Sequence, residues 1–227
     1  MKRLRTLLVT FDNDIPAHLV TAFRAAVIEK VGRDHVAFHN HVGDTQFVYQ
    51  YPLIQYKTVH RQPAIVCLDE GVDEIHKLFE QRNWTINLLG KKIELKVDRL
   101  DLKTTTLNIW EKQFEYSLYR WQALNDKNYR EYNNLQSLTD KIQMLERILT
   151  GNILSFAKGI EWHIDQQVKL TITDVALERL TKMKDIRVAA LDIRFKCNVA
   201  LPDWIGLGKG VSKGFGVVRQ LRNYNGE

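Results

Sequence analysis

Long apolar runs, paired cysteines and proline are what this sequence has least of. No stretch approaches the ~18 apolar residues of a membrane span. The basic start Met1–Arg5 is followed only by Leu7, Leu8 and Val9 before Asp12, too short for a secretory core, so a soluble cytoplasmic protein is expected. The two cysteines, Cys67 and Cys197, lie far apart with no Cys-x-x-Cys or Cys/His spacing, which excludes a disulfide scaffold and the common zinc modules and suits a reducing compartment. Four prolines and no low-complexity tract or repeat exclude fibrous and solenoid architectures.

What is present is a folding chain with a mild basic excess. In 227 residues, 44% hydrophobic and 10% aromatic content can fill a core. A net charge of +6 and a pI near 9.2 favour a polyanionic partner. Basic residues that could face one are Arg3, Arg5, Lys57, Arg61, Lys91, Lys92, Lys209, Lys213, Arg219 and Arg222.

Hydrophobic periodicity orders the elements. Leu4 to Phe11 reads as a strand, and Leu19, Phe23, Ala26, Val27 and Val31 give a helical face closed by Gly32. The segment Phe47–Val59 and the run Ala64–Leu68 read as two adjacent strands. Val72, Ile75, Leu78 and Phe79 make a second helix, and Lys92–Val97 a further strand. The order βαββαβ is that of a ferredoxin-like, RRM-like unit, whose helices cover one sheet face and leave the other free. A second, distorted unit follows. It comprises alternating residues from Thr104 to Tyr119, a connection near Asn125–Asn134, and a helix over Ser137–Ala157 with Gly151 as a possible kink. Strands over Val168–Leu177 and Val188–Phe195 complete it, with a short helix near Leu177–Lys184 between them. The expected fold class is α+β, with tandem ferredoxin-like halves at 1–102 and 103–227 and a C-terminal glycine-rich loop.

That loop, residues 206–216, holds five glycines in eleven residues. It precedes the apolar pair Val217–Val218 rather than a helix, which excludes dinucleotide and P-loop motifs. Glycines of this density can expose consecutive N–H groups to phosphate oxygens, with Lys209 and Lys213 adding charge.

A second cluster is the segment 34–44, which carries His35, His39 and His41. A His-x-His pair in extended chain puts both rings on one side, where one imidazole takes a proton and the other gives one. RNA supplies its own nucleophile, the ribose 2′-OH, so such a pair with one cation suffices for cleavage without metal. A zinc site on the same His-x-His pair, completed by Asp34, His35 and Asp44, is the alternative reading.

The pattern Gly206-Leu207-Gly208 followed by Ser212-Lys213-Gly214-Phe215-Gly216 resembles the glycine-rich loop of CRISPR repeat-processing endoribonucleases of the RAMP superfamily. The segment from Tyr51 to Lys57, with the histidine segment before it, is similar to the branch associated with type I-B systems. The resemblance implies tandem ferredoxin-like halves and metal-independent cutting of CRISPR precursor RNA, with no cofactor. It implies an active site of His39, His41, Lys30 and Tyr49, with Tyr51 competing for the last role. It also implies RNA contact at Gly206, Gly208, Lys209, Ser212, Lys213, Gly214, Phe215 and Gly216. Expected partners are CRISPR repeat RNA and other subunits of an interference complex, with the chain a monomer or homodimer and no membrane. A non-cleaving RNA-binding subunit is the other function of the same fold.

Overall fold

The computed structural model describes residues 1–39, 41–42, 46–47, 51–183 and 186–222. The first half contains β1 (Lys2–Phe11), α1 (Val20–Val31), the short pair β2 (His41–Val42) and β3 (Gln46–Phe47), β4 (Ile54–Val59) and β5 (Gln62–Leu68). Two short helices, α2 (Glu70–Glu74) and α3 (His76–Phe79), come next. The hairpin β6 (Thr85–Leu88) and β7 (Lys91–Glu94) leads into β8 (Val97–Leu107). The four main strands form an antiparallel sheet in the order β4-β5-β1-β8, the ferredoxin-like arrangement.

Side-chain alternation along β1 assigns its two faces. Leu7, Val9 and Phe11 join Ile65 and Cys67 against Phe23 and Val27 of α1 in the first core. Leu4 points the other way with Val66 and Leu68, into a second core shared with the rest of the chain. The sheet face expected to be free is therefore covered by the second half, which explains why Leu4 and Leu8 are apolar as well as Leu7, Val9 and Phe11 on the opposite face. Lys103 to Leu107 pair with Thr6 to Lys2, so the first sheet continues past the junction expected at 102, and the chain crosses over at Asn108.

The second half has β9 (Ile109–Trp121), α4 (Asp126–Asn134), α5 (Leu138–Gly159), β10 (Leu170–Met183), β11 (Ile186–Val199) and β12 (Val217–Gln220). Its sheet order is β10-β11-β9-β12. Helix α5 starts where Ser137 Oγ accepts a hydrogen bond from Thr139 N and buries Met144, Leu145, Leu149, Ile153 and Phe156. Gly151 lies on its exposed side and does not interrupt it. The short helix expected near Leu177–Lys184 is instead β10 running on to Met183, because ladder pairing with β11, Thr181 opposite Val188 among others, overrides the local helical pattern. No helix joins β11 to β12. Residues 200–216, which include the glycine-rich segment, fill that place. Among the described residues no helix is long and apolar enough to cross a membrane, and both cysteines are buried and free.

Candidate active site and RNA interface

The histidine segment is built outward from the first core. Phe38 is 1% exposed, and its carbonyl accepts a hydrogen bond from the Tyr56 hydroxyl on β4 at 3.3 Å. This anchorage leaves the next residue, His39, half-buried at the rim. His39 Nε2 lies 2.7 Å from the Arg33 carbonyl oxygen. A carbonyl only accepts, so Nε2 carries the hydrogen and Nδ1 holds the lone pair of the neutral ring. The His39 carbonyl in turn accepts from Arg24 Nη2 at 2.9 Å.

Arg24 was not legible as a site residue. It sits on α1 among apolar neighbours, and burial holds its guanidinium below the ordinary arginine range. Its signal in the sequence is one cation on an otherwise apolar helix face, which is weak. Lys30, in the last turn of the same helix, donates to Asn83 Oδ1 in the loop after α3. Lys30 and His39 are thus fixed by different neighbours around one helix end.

His41 pairs through its backbone with Phe47 in the β2–β3 ladder. Tyr49 and Asp44 lie outside the described residues. Tyr51 is half-buried; its hydroxyl donates to the Gly206 carbonyl at 2.7 Å and accepts from Gln55 Nε2 at 2.9 Å, and its ring meets that of Phe156 edge-on. Burial pushes its hydroxyl pKa above the ordinary tyrosine range. It is a structural tie between the halves.

The glycine-rich segment is packed rather than open. The Gly206 N–H donates to Gln55 Oε1 at 3.0 Å, Leu207 N to Gly216 O, Lys213 N and Phe215 N to Gly210 O, and Gly216 N to Arg120 O. Those amides are satisfied within the protein, so the expected cradle of free N–H groups does not form there. Leu207, Val211 and Phe215 are buried. A Cβ on Gly208 would lie 2.8 Å from Trp121 Nε1, and one on Gly216 would lie 1.9 Å from the Leu207 carbonyl oxygen with φ at +61°. The glycines are there for close approach. Lys213 bridges to Tyr56 at the free edge of β4, and Lys209 to Gln122. The segment's solvent-accessible groups include exposed Lys209 and half-buried Ser212 and Lys213.

Other basic residues are placed differently from the expectation. Lys57 is fully buried, on the same strand face as Gln55, and among the described residues its side-chain nitrogen has no hydrogen-bond partner. Arg5 pairs with Asp73 at 2.6 Å and Arg61 with Asp14 at 2.9 Å.

Comparison with known proteins matches both halves of the chain. The family model of the Cas6b N-terminal domain matches residues 2–106 and that of the Cas6b C-terminal domain matches residues 108–221. A solved crystal structure of Cas6b is 26% identical with a TM-score of 0.89, covering 97% of this chain and 100% of that one. The crystal structure of a CRISPR RNA processing endoribonuclease Cas6b, 24% identical with a TM-score of 0.75 over 97% and 100% of the two chains, shares the fold. The uncharacterised protein MJ0978 of Methanocaldococcus jannaschii is 31% identical over 134 residues, 59% of this chain and 90% of that protein. Matched in both halves by its domain models and in its whole fold by its solved structures, the chain belongs to the Cas6b family.

Proposed function

We propose that this protein is a metal-independent endoribonuclease that cuts CRISPR precursor RNA within each repeat. The observation that carries the reading is the orientation of His39 in a chain matched over both halves by Cas6b. A ring whose Nε2 is tied to a carbonyl offers Nδ1 as a proton acceptor.

In the reaction, Nδ1 of His39 takes the proton of the ribose 2′-OH at the cut. O2′ bonds to phosphorus, the bond from phosphorus to O5′ breaks, and His41 in its imidazolium form gives O5′ a proton. Lys30 and Tyr49 stabilise the charge that develops on the phosphorane oxygens. The products carry a 2′,3′-cyclic phosphate and a 5′-hydroxyl. Lys209, Ser212 and Lys213 contact the RNA backbone, while the glycines and Phe215 hold that surface in place. A repeat stem would be read mostly by shape, because A-form geometry hides its base edges.

The test is cleavage of a labelled repeat RNA from the same genome in EDTA. Wild type is expected to cut once per repeat and leave cyclic-phosphate ends. His39→Ala and His41→Ala should each slow cutting by about 10²- to 10⁴-fold. Fragments ending in 3′-hydroxyl and 5′-phosphate would overturn the mechanism. Tight binding with no cutting would make the protein a non-cleaving RNA-binding subunit.

A further inference from the structure

The outer face of the second sheet carries a row of side chains that the proposed reaction does not use. Strand register sets Asp174, Arg194, Ser117 and Arg219 side by side across β10, β11, β9 and β12. Tyr116 and Leu118 point into the second core, so Ser117 and Tyr119 point outward. Ser117 is 5% exposed, yet among the described residues its hydroxyl has no hydrogen-bond partner. Buried hydroxyls in that state are uncommon and costly. This one lies between two arginines on strands roughly 5 Å to either side.

Arg219 is held in position. Its guanidinium carbon lies 3.7 Å from the centre of the Trp204 ring, and its Nε is buried without a hydrogen bond among the described residues. Asp203 serves both Arg219, at 3.5 Å, and Arg222, at 3.7 Å, contacts too long for good charge-assisted hydrogen bonds. Arg194 and Lys196 are exposed beside them. A groove of about 540 Å³ runs along this face from Glu115 to Arg222. Beyond Ser117 on the same strand, Tyr119 is 46% exposed.

We propose that this face is a docking site for single-stranded RNA, with Arg194, Ser117 and Arg219 taking a phosphate and Tyr119 stacking on a base. An anion there gives the Ser117 hydroxyl an acceptor and adds a second negative partner for arginines that share Asp203. An aromatic ring next to the stacked Arg219 and the exposed Arg194 on a sheet face suits unpaired nucleotides, whose bases can turn onto the ring. A duplex would present only phosphate to it. The occupant is an unpaired stretch of the precursor next to the repeat, an assignment that rests on the proposed RNA-processing function.

The full chain is tested with two RNAs, a minimal repeat and the same repeat with a single-stranded extension on either side. The variants are Arg194→Ala, Tyr119→Ala and Tyr119→Phe. Wild type should bind an extended RNA more tightly than the minimal one. Arg194→Ala and Tyr119→Ala should each weaken binding of the extended RNA about tenfold, and Arg194→Ala should reduce its salt slope by about one. Tyr119→Phe should retain wild-type affinity, and binding and cutting of the minimal repeat should be unchanged throughout. Equal affinity of all variants for the extended RNA overturns the site while leaving the nuclease reading intact, as does equal weakening for both RNAs. Failure of wild type to bind either RNA overturns both.

Discussion

Lys57 has no exposed surface and, among the described residues, no hydrogen-bond partner for its nitrogen. Burial brings its pKa from 10.5 down to about 7. Between those values the unfolded chain binds the proton that the native state releases, so this residue makes stability rise with pH across that window. Below about pH 7 the folded protein carries the buried charge at its full cost. Lys57→Met is therefore expected to raise the melting temperature most near pH 6, with the gain shrinking as pH approaches 10. Thermal melts of both proteins at several pH values would show it, and a gain independent of pH would mean that packing alone is responsible.

At the scale of elements, two glycines predict opposite outcomes. Gly151 lies inside α5 on its exposed side, where an added methyl meets nothing within 4 Å. Gly151→Ala should stabilise by about 0.5–1 kcal/mol through helix propensity. At Gly216 a methyl would overlap the Leu207 carbonyl at a φ of +61°, so Gly216→Ala should cost about 3 kcal/mol or more. Denaturant melts of the pair measure both signs. Sequence alone could tell neither glycine's role, because the partners of Gly216 and Gly208, Leu207 and Trp121, are matters of tertiary approach. Apolar spacing with Gly32 and Ser137 did mark the ends of α1 and α5. The extension of β10 escaped because Leu177–Lys184 reads as helix until its ladder with β11 is known. The break at Asn108 was hidden because alternation runs on through both β8 and β9. The histidine segment was visible as a cluster, but the arginine holding His39 was not.

For the whole molecule, the decisive fact is that the second core draws on both halves. Leu4, Val66, Leu68 and Leu107 meet there with Tyr116, Phe156, Val199 and Ile205. Calorimetry should find one cooperative transition with matching calorimetric and van't Hoff enthalpies. Residues 1–107 alone should expose that apolar face and aggregate. Two separable transitions would mean the halves fold as independent domains. The element order βαββαβ read the layout of the first half, but its last sheet strand is Val97–Leu107 rather than the expected Lys92–Val97, whose first residues belong to the β6–β7 hairpin, and no local pattern records the covering of its second face.

The glycine-rich segment also fixes when the protein can be finished. Gly206 binds the Gln55 side chain, and Lys213 pairs with the edge of β4 beside Tyr56, so contacts made by residues near 55 wait for residues near 210 to be synthesised. At ordinary elongation rates that interval is roughly ten to thirty seconds. Throughout it the β4 edge and the buried position of Lys57 lack their cover. A ribosome that stalls before the glycines releases a chain whose first sheet is open on one side, a natural target for proteolysis.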